Sequence, residues 1–197
     1  MRKGRWLVLG VVVLAACGSE DTSVRPAPAN RKPNYFDVKG LLDKQVADLN
    51  RRQPTVEKQV RLRDGTTETT RVTKTDWSKE LQIFYQTDIN KPALRGAYSE
   101  TASASATKPD GVKSYKLVAA DAKAPVVSLV VGTGGDAQSV DQELAAVVRQ
   151  DNPLFYSEKR LRLVTHNGAL RAYEVQGVQK LVMFDTVRYT VRTRILE

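Results

Sequence analysis

Few side chains in this chain could do nucleophilic, acid–base or metal chemistry, because it holds one cysteine, Cys17, and one histidine, His166, among 197 residues. A single cysteine permits no disulfide within the molecule. His166 precedes Asn167-Gly168, a tight-turn dipeptide, which makes it an exposed turn residue by expectation. Zinc would need further ligands, and neither a second histidine nor a spare thiol exists to supply them. A Ser-His-acid group assembles only in the fold, yet no Gly-x-Ser-x-Gly elbow accompanies His166. Gly132-Thr133-Gly134-Gly135 lacks both the dinucleotide spacing and the Gly-Lys-Ser/Thr ending of a phosphate loop, and Asp136 would repel a phosphate. It reads as a flexible strand-to-helix connection. The carboxylate pairs Asp43 with Asp48 and Asp141 with Glu143 read as solvated charges on helical surfaces. No catalytic residue, metal ligand or cofactor site is therefore assigned, and the expectation is a protein that is not an enzyme.

The amino terminus says more. Arg2, Lys3 and Arg5 precede an apolar run over residues 6–16 that ends in small side chains, the plan of a secretory signal peptide. The run is shorter than the roughly 20 apolar residues of a membrane-spanning helix. The tetrapeptide Leu14-Ala15-Ala16-Cys17 resembles the bacterial lipobox. That resemblance implies cleavage before Cys17 by a peptidase recognising Leu14, Ala15 and Ala16. It also implies a diacylglyceryl group on the Cys17 sulfur, with palmitate-like chains holding the protein to the membrane. Gly18 stands where an aspartate would signal inner-membrane retention, so the outer membrane is the implied address, on its periplasmic face or at the cell surface. Ser19-Glu20-Asp21 resembles the acidic export signal of Bacteroidetes surface lipoproteins; an ordinary polar tether is the alternative. With Pro26, Pro28 and Pro33, residues 17–34 form a linker too polar to fold, and residues 35–197 are left for one domain.

The elements of that domain follow from spacing. Val38, Leu41, Leu42, Val46 and Leu49 recur at helical intervals behind Asp37, a cap, with Pro54 beyond. Asp64-Gly65 predicts a two-residue hairpin turn that sets Arg61 opposite Glu68, with a Thr-rich second strand at a sheet edge. Trp77, Leu81, Phe84, Tyr85 and Ile89 predict a second helix over 76–89, its aromatic stripe turned to the core. Strands are expected over 93–101, 113–119 and 125–131, with Lys108-Pro109-Asp110-Gly111 as a turn. A short internal helix is expected over 139–149, opened by Ser139 and Gln142. Asn167-Gly168 predicts a hairpin with Arg162 facing Tyr173, followed by a central strand at 181–184 and a long strand bearing Arg188, Arg192 and Arg194 on one face. The fold class is α+β: an antiparallel meander packed by two N-terminal helices and one short internal helix.

The formal net charge is +9, but its lysines and arginines alternate along strands rather than forming a stripe with stacking aromatics, which argues against nucleic acid as a partner. The positive excess leaves attraction to anionic lipid headgroups or acidic glycans open. The leading expectation is an envelope lipoprotein that acts by binding, its partner another envelope protein or an amphiphilic ligand. Two alternatives stand beside it: a carrier for a lipid or other amphiphile in a pocket between sheet and helices, and a hydrolase of envelope polymers. Replacing Cys17 by serine should abolish acylation, since no other thiol can accept the lipid. Metabolic labelling with a fatty-acid probe reads this directly, and a labelled Cys17→Ser product would end the lipoprotein reading.

Overall fold

The computed structural model of the chain describes residues 34–105, 108–118, 124–135 and 139–196. These contain helix α1 (Val38–Arg52), strands β1 (Val56–Arg61) and β2 (Thr67–Val72), a single helical turn α2 (Trp77–Glu80), and 3-10 segments at Gln82–Thr87 and Pro92–Leu94. Seven further strands follow: β3 (Tyr98–Ser105), β4 (Lys108–Leu117), β5 (Val126–Gly135), β6 (Val140–Asn152), β7 (Phe155–His166), β8 (Ala169–Leu181) and β9 (Val187–Ile195). All nine strands form one open antiparallel sheet in the order β2-β1-β9-β8-β7-β6-β5-β4-β3. The antiparallel meander over β3 to β9 thus holds, the architecture is mostly β with a few helices and consistent with the α+β class, and β2 is an edge as its composition predicts. The residues expected to form leader, lipobox and tether (Leu14, Ala15, Ala16, Cys17, Ser19, Glu20 and Asp21) lie outside the described residues.

The helices lie on one face of the sheet because only that face is apolar. The Asp37 carboxylate accepts from the Gly40 amide at 2.9 Å, opening α1, and Gln53 ends it in the left-handed conformation at φ 43°. Val38, Leu42 and Leu49 of α1, then Trp77, Leu81, Phe84 and Ile89, are fully buried against Leu129, Leu144, Leu161, Leu163 and Leu170 of the sheet. Gln45 reaches from α1 to the β7–β8 hairpin: its Nε2 donates to the Gly168 carbonyl at 2.9 Å, and its Oε1 accepts from the Leu170 amide at 2.8 Å. That hairpin turns at Asn167 and Gly168, both at positive φ (49° and 75°), as the dipeptide predicts. Farther along β8, Gly177 is required by its neighbour: a Cβ there would stand 2.2 Å from the ring of Tyr189, its cross-strand partner.

Two β-bulges set which residues face the helices. Val164 pairs with Ala172 but Thr165 pairs with Leu170, so Arg171 is an extra residue and the side chains beyond it change faces. Val127 does the same in β5, between Val126 and Ser128. Leu170 and Tyr173, and likewise Val126 and Leu129, therefore all point into the core although each pair is three apart.

Several local expectations are corrected. Residues 139–149 are strand, not helix, and no short internal helix forms there: Leu144, Ala146 and Val148 alternate inward along β6. The apolar positions satisfy both periods, and pairing on both sides with β5 and β7 decides for the strand. Asp141 and Glu143 accordingly stand on a sheet. The second helix breaks after one turn into 3-10 geometry, with the Thr87 hydroxyl donating to the Phe84 carbonyl at 2.7 Å. Residues 181–184 are no central strand; Leu181 ends β8, and Val182, Met183 and Phe184 form an exposed turn. Gly132-Thr133-Gly134-Gly135 belongs to β5, paired with residues 140–143, and Lys108 to Gly111 open β4 rather than forming a turn. In the first hairpin the Leu62 amide donates to the Thr66 carbonyl across a three-residue loop, so Arg61 faces Thr67 and Glu68 faces Val60.

Trp77 is fully buried, and Trp77→Ala should cost about 3 to 5 kcal/mol in denaturant unfolding of the purified chain. His166→Ala should cost no more than about 1 kcal/mol, since its partner Asp141 is exposed. A second expectation concerns alkaline pH. Burial, and after it Tyr35, pushes the Tyr98 hydroxyl up to about 12 from 10.0. Burial, and after it Asp43, does the same to Tyr85. The folded chain thus keeps protons that the unfolded chain releases near 10.0, so stability should be level below about pH 10 and fall as pH rises toward about 12. Tyr98→Phe should flatten that fall; an unchanged slope would assign the loss to other groups.

Candidate functional site

The uncovered face of the sheet carries the concentrated polar chemistry of the domain. Strand pairing sets its side chains in rows that cross five strands from β6 to β1. One row is Ala145, Arg162, Glu174, Arg192 and Gln59; the next is Val147, Arg160, Gln176, Thr190 and Arg61. On the other side of the first row stand Glu143, Val164, Ala172, Arg194 and Glu57. Below the second, Arg149, Glu158, Val178 and Arg188 cross four strands.

Neighbouring charges in these rows are tied together. Arg162 Nε donates to Glu143 at 2.7 Å. Glu174 Oε1 accepts from Arg192 Nε at 3.1 Å and from Gln176 Nε2 at 2.7 Å. Glu158 lies between Arg149 at 2.9 Å and Arg160 at 3.2 Å, and also takes the Tyr156 hydroxyl at 3.1 Å. Those contacts, Arg149 foremost, hold the Glu158 carboxyl below the usual carboxylate range. Among the described residues, Arg61, Arg188 and Arg194 have no carboxylate within 4.0 Å.

Three depressions of about 340, 350 and 280 Å³ indent this face. The first and third share Arg162 and Glu174, and the second and third share Arg160 and Gln176, so together they form one trough across the strands. Seven arginines line it against three glutamates, and no lysine does. The choice of cation matters: guanidinium is a planar fork that grips carboxylate or phosphate through two parallel hydrogen bonds, whereas ammonium acts as a point charge. One wall of the third depression is apolar, formed by Val130, Ala145 and Val147.

The predicted pairing of Arg162 with Tyr173 does not occur, because the bulge at Arg171 turns Tyr173 to the other face and brings Glu174 opposite Arg162. Buried there, the Tyr173 hydroxyl donates to Glu80, which Lys58 also meets at 2.7 Å, and its ring stands edge-on to Phe84 at 5.7 Å. Burial, then Glu80, pushes its pKa far above the ordinary value. His166 sits at the hairpin tip as expected. Its Nδ1 meets Asp141 at 2.6 Å and so ties the hairpin to β6, while Nε2 lies 3.4 Å from the side-chain amide of Asn167 within the turn. Among the described residues, no three His, Cys, Asp or Glu side chains converge as metal ligands.

Alternation in β7 and β9 makes Arg160, Arg162, Arg188, Arg192 and Arg194 legible as one-faced arginines in the sequence. Glu57, Gln59 and Arg61 escape such reading, since β1 joins β9 across more than 120 residues of chain. The chain matches no protein-family model, no curated protein and no solved structure.

Proposed function

We propose that this protein is a lipid-anchored component of the bacterial envelope that acts by binding, with the arginine trough of its open sheet face as the binding surface and an extended anionic ligand, such as an acidic glycan, as its occupant. The observation that carries the reading is the all-arginine cation set of a trough three depressions long. A surface built only for solubility has no need of guanidinium over ammonium. Arginines at successive row positions, about 6.8 Å apart along a strand, match a polymer that repeats its charge better than a single small anion. Anchoring through Cys17, export through Ser19, Glu20 and Asp21, and an outer-membrane address are parts of this proposal that rest on the amino-terminal residues alone. The role is binding rather than catalysis.

The apolar wall of Val130, Ala145 and Val147 beside Arg160 and Arg162 favours a second reading. An amphiphile could lay its chain on that wall and its anionic head on the arginines. The space between helices and sheet suits such a ligand less, being filled by Trp77, Phe84, Leu42 and Leu129.

Titration with polygalacturonate separates these ideas. Arg162→Ala and Arg192→Ala should each weaken binding about tenfold or more, as expected when a charge-assisted hydrogen bond is lost. Arg162→Lys should restore little, because it keeps the charge and loses the fork. Equal losses from Lys39→Ala on α1 would reduce the binding to general attraction and sink the proposal. Lipid released from the native protein and identified by mass spectrometry, with no polymer binding, would favour the amphiphile.

A further inference from the structure

At the sheet end where β6 leads into β7, three adjacent hairpin tips carry seven of the nine large apolar side chains exposed among the described residues. Leu62 belongs to the β1–β2 tip and Leu154 to the β6–β7 tip; Leu181, Val182, Met183, Phe184 and Val187 belong to the β8–β9 tip. Met183 is 87% exposed, Leu154 71% and Phe184 70%. The tips are fastened to one another: the Val182 amide donates to the Leu154 carbonyl at 3.2 Å, and Arg63 meets Asp185 at 3.0 Å. The Leu154 and Phe155 amides both donate to the Asn152 side chain, so the neighbouring turn is itself closed.

The tips project beyond the rest of the sheet. Strand β5 begins at Val126, opposite Val148, while β6 continues to Asn152, opposite Phe155. That overhang of four residues is about 13 Å of strand. Exposed apolar side chains clustered in this way mark an interaction surface. Leu154, Met183 and Phe184, its three most exposed apolar side chains, line none of the three depressions of the arginine face. Arg61, Arg63, Lys180 and Arg188 stand on or beside these tips as exposed cations against the exposed carboxylates Asp64, Asp151 and Asp185, the last matched by Arg63, so the border carries a small net positive charge. Projecting apolar tips with a net positive border are the chemistry that an anionic bilayer accepts: apolar side chains enter the headgroup boundary to about 5 to 10 Å, and each cation near the surface adds attraction. The chain also enters the domain at this sheet end, for the Tyr35 hydroxyl bonds to Gly96 and Tyr98 at the start of β3.

We infer that the β6–β7 and β8–β9 tips dock the domain on an anionic phospholipid surface, inserting Leu154, Met183 and Phe184. This contact needs no acylation at Cys17, and it meets the end of the arginine face at Arg61, Leu62, Arg63 and Arg188. The test uses the full chain carrying Cys17→Ser, which removes both the lipid and the only native thiol. An environment-sensitive fluorophore attached through Met183→Cys is compared with one attached through Lys74→Cys, just past β2 at the opposite sheet end. With vesicles of phosphatidylethanolamine and phosphatidylglycerol, the tip probe should shift to the blue and be quenched by lipids labelled in the acyl chain, and the Lys74 probe should do neither. A second pair carries the fluorophore through Val182→Cys, with Met183 and Phe184 either intact or both changed to Asp. The double change should lower partitioning on the order of tenfold or more. Vesicles of phosphatidylcholine alone should bind more weakly. Quenching equal at both sheet ends would mean adsorption through the apolar amino-terminal run and would overturn the inference. So would a blue shift at the tip that grows with protein concentration and ignores vesicles, which would make the partner a second copy of the chain.

Discussion

One extra residue in strand β8, Arg171, determines what both faces of the sheet can do. With the bulge, Leu170 and Tyr173 face the helices together, and Ala172, Glu174 and Gln176 face solvent. Regular pairing would bury Ala172 and Glu174 and turn the Tyr173 ring outward, leaving the Glu80 and Lys58 pair on the helical side without its hydroxyl. It would also remove the carboxylate that stands between Arg162 and Arg192. Gln45 of α1 donates to the Gly168 carbonyl and accepts from the Leu170 amide on one side of this bulge, so the helix that covers the core also holds the register of the arginine-bearing face.

The asymmetry of the sheet follows from how much apolar material the chain provides. Three short helical segments and one longer helix can cover one face of nine strands, and their fully buried side chains do so densely. The other face must then live in water, and it does so with charges paired across strands. Such pairs on a solvated surface contribute little stability, typically under about 1 kcal/mol each. Their dense arrangement is better explained by what they present than by what they stabilise. Breaking an arginine–glutamate contact at the surface costs little, so an incoming anion can exchange partners with Glu143 or Glu174 without loss of the fold.

Nothing in the core requires the hairpin tips at the far end to be apolar, because no helix covers them. Their side chains extend the sheet past the region that α1 and the 3-10 segments protect. An exposed Met183 and Phe184 are a liability for an isolated soluble domain and an asset for one held beside a lipid surface. The arginine trough and the apolar tips meet at Arg61, Leu62, Arg63 and Arg188, which line one end of the trough and border the tips.

Local chemistry in the sequence determined the cap at Asp37, the left-handed turn at Asn167-Gly168, the buried Trp77 and the edge character of the Thr-rich β2, because each depends on neighbours a few residues away. It also determined that Arg188, Arg192 and Arg194 share a face, since strand alternation carries no long-range term. Tertiary structure decided the rest. Residues 140–148 satisfy helical and strand periods alike, and only pairing with β5 and β7 selects the strand. The apolar segment 181–184 reads as core until the turn leaves it without a covering element. Bulges at Val127 and Arg171 break alternation in a way that a pattern of single residues cannot signal, since each is defined by a partner strand. The trough itself joins β1 to β7, β8 and β9 by hydrogen bonds that span most of the chain, and no spacing within any one segment contains that information.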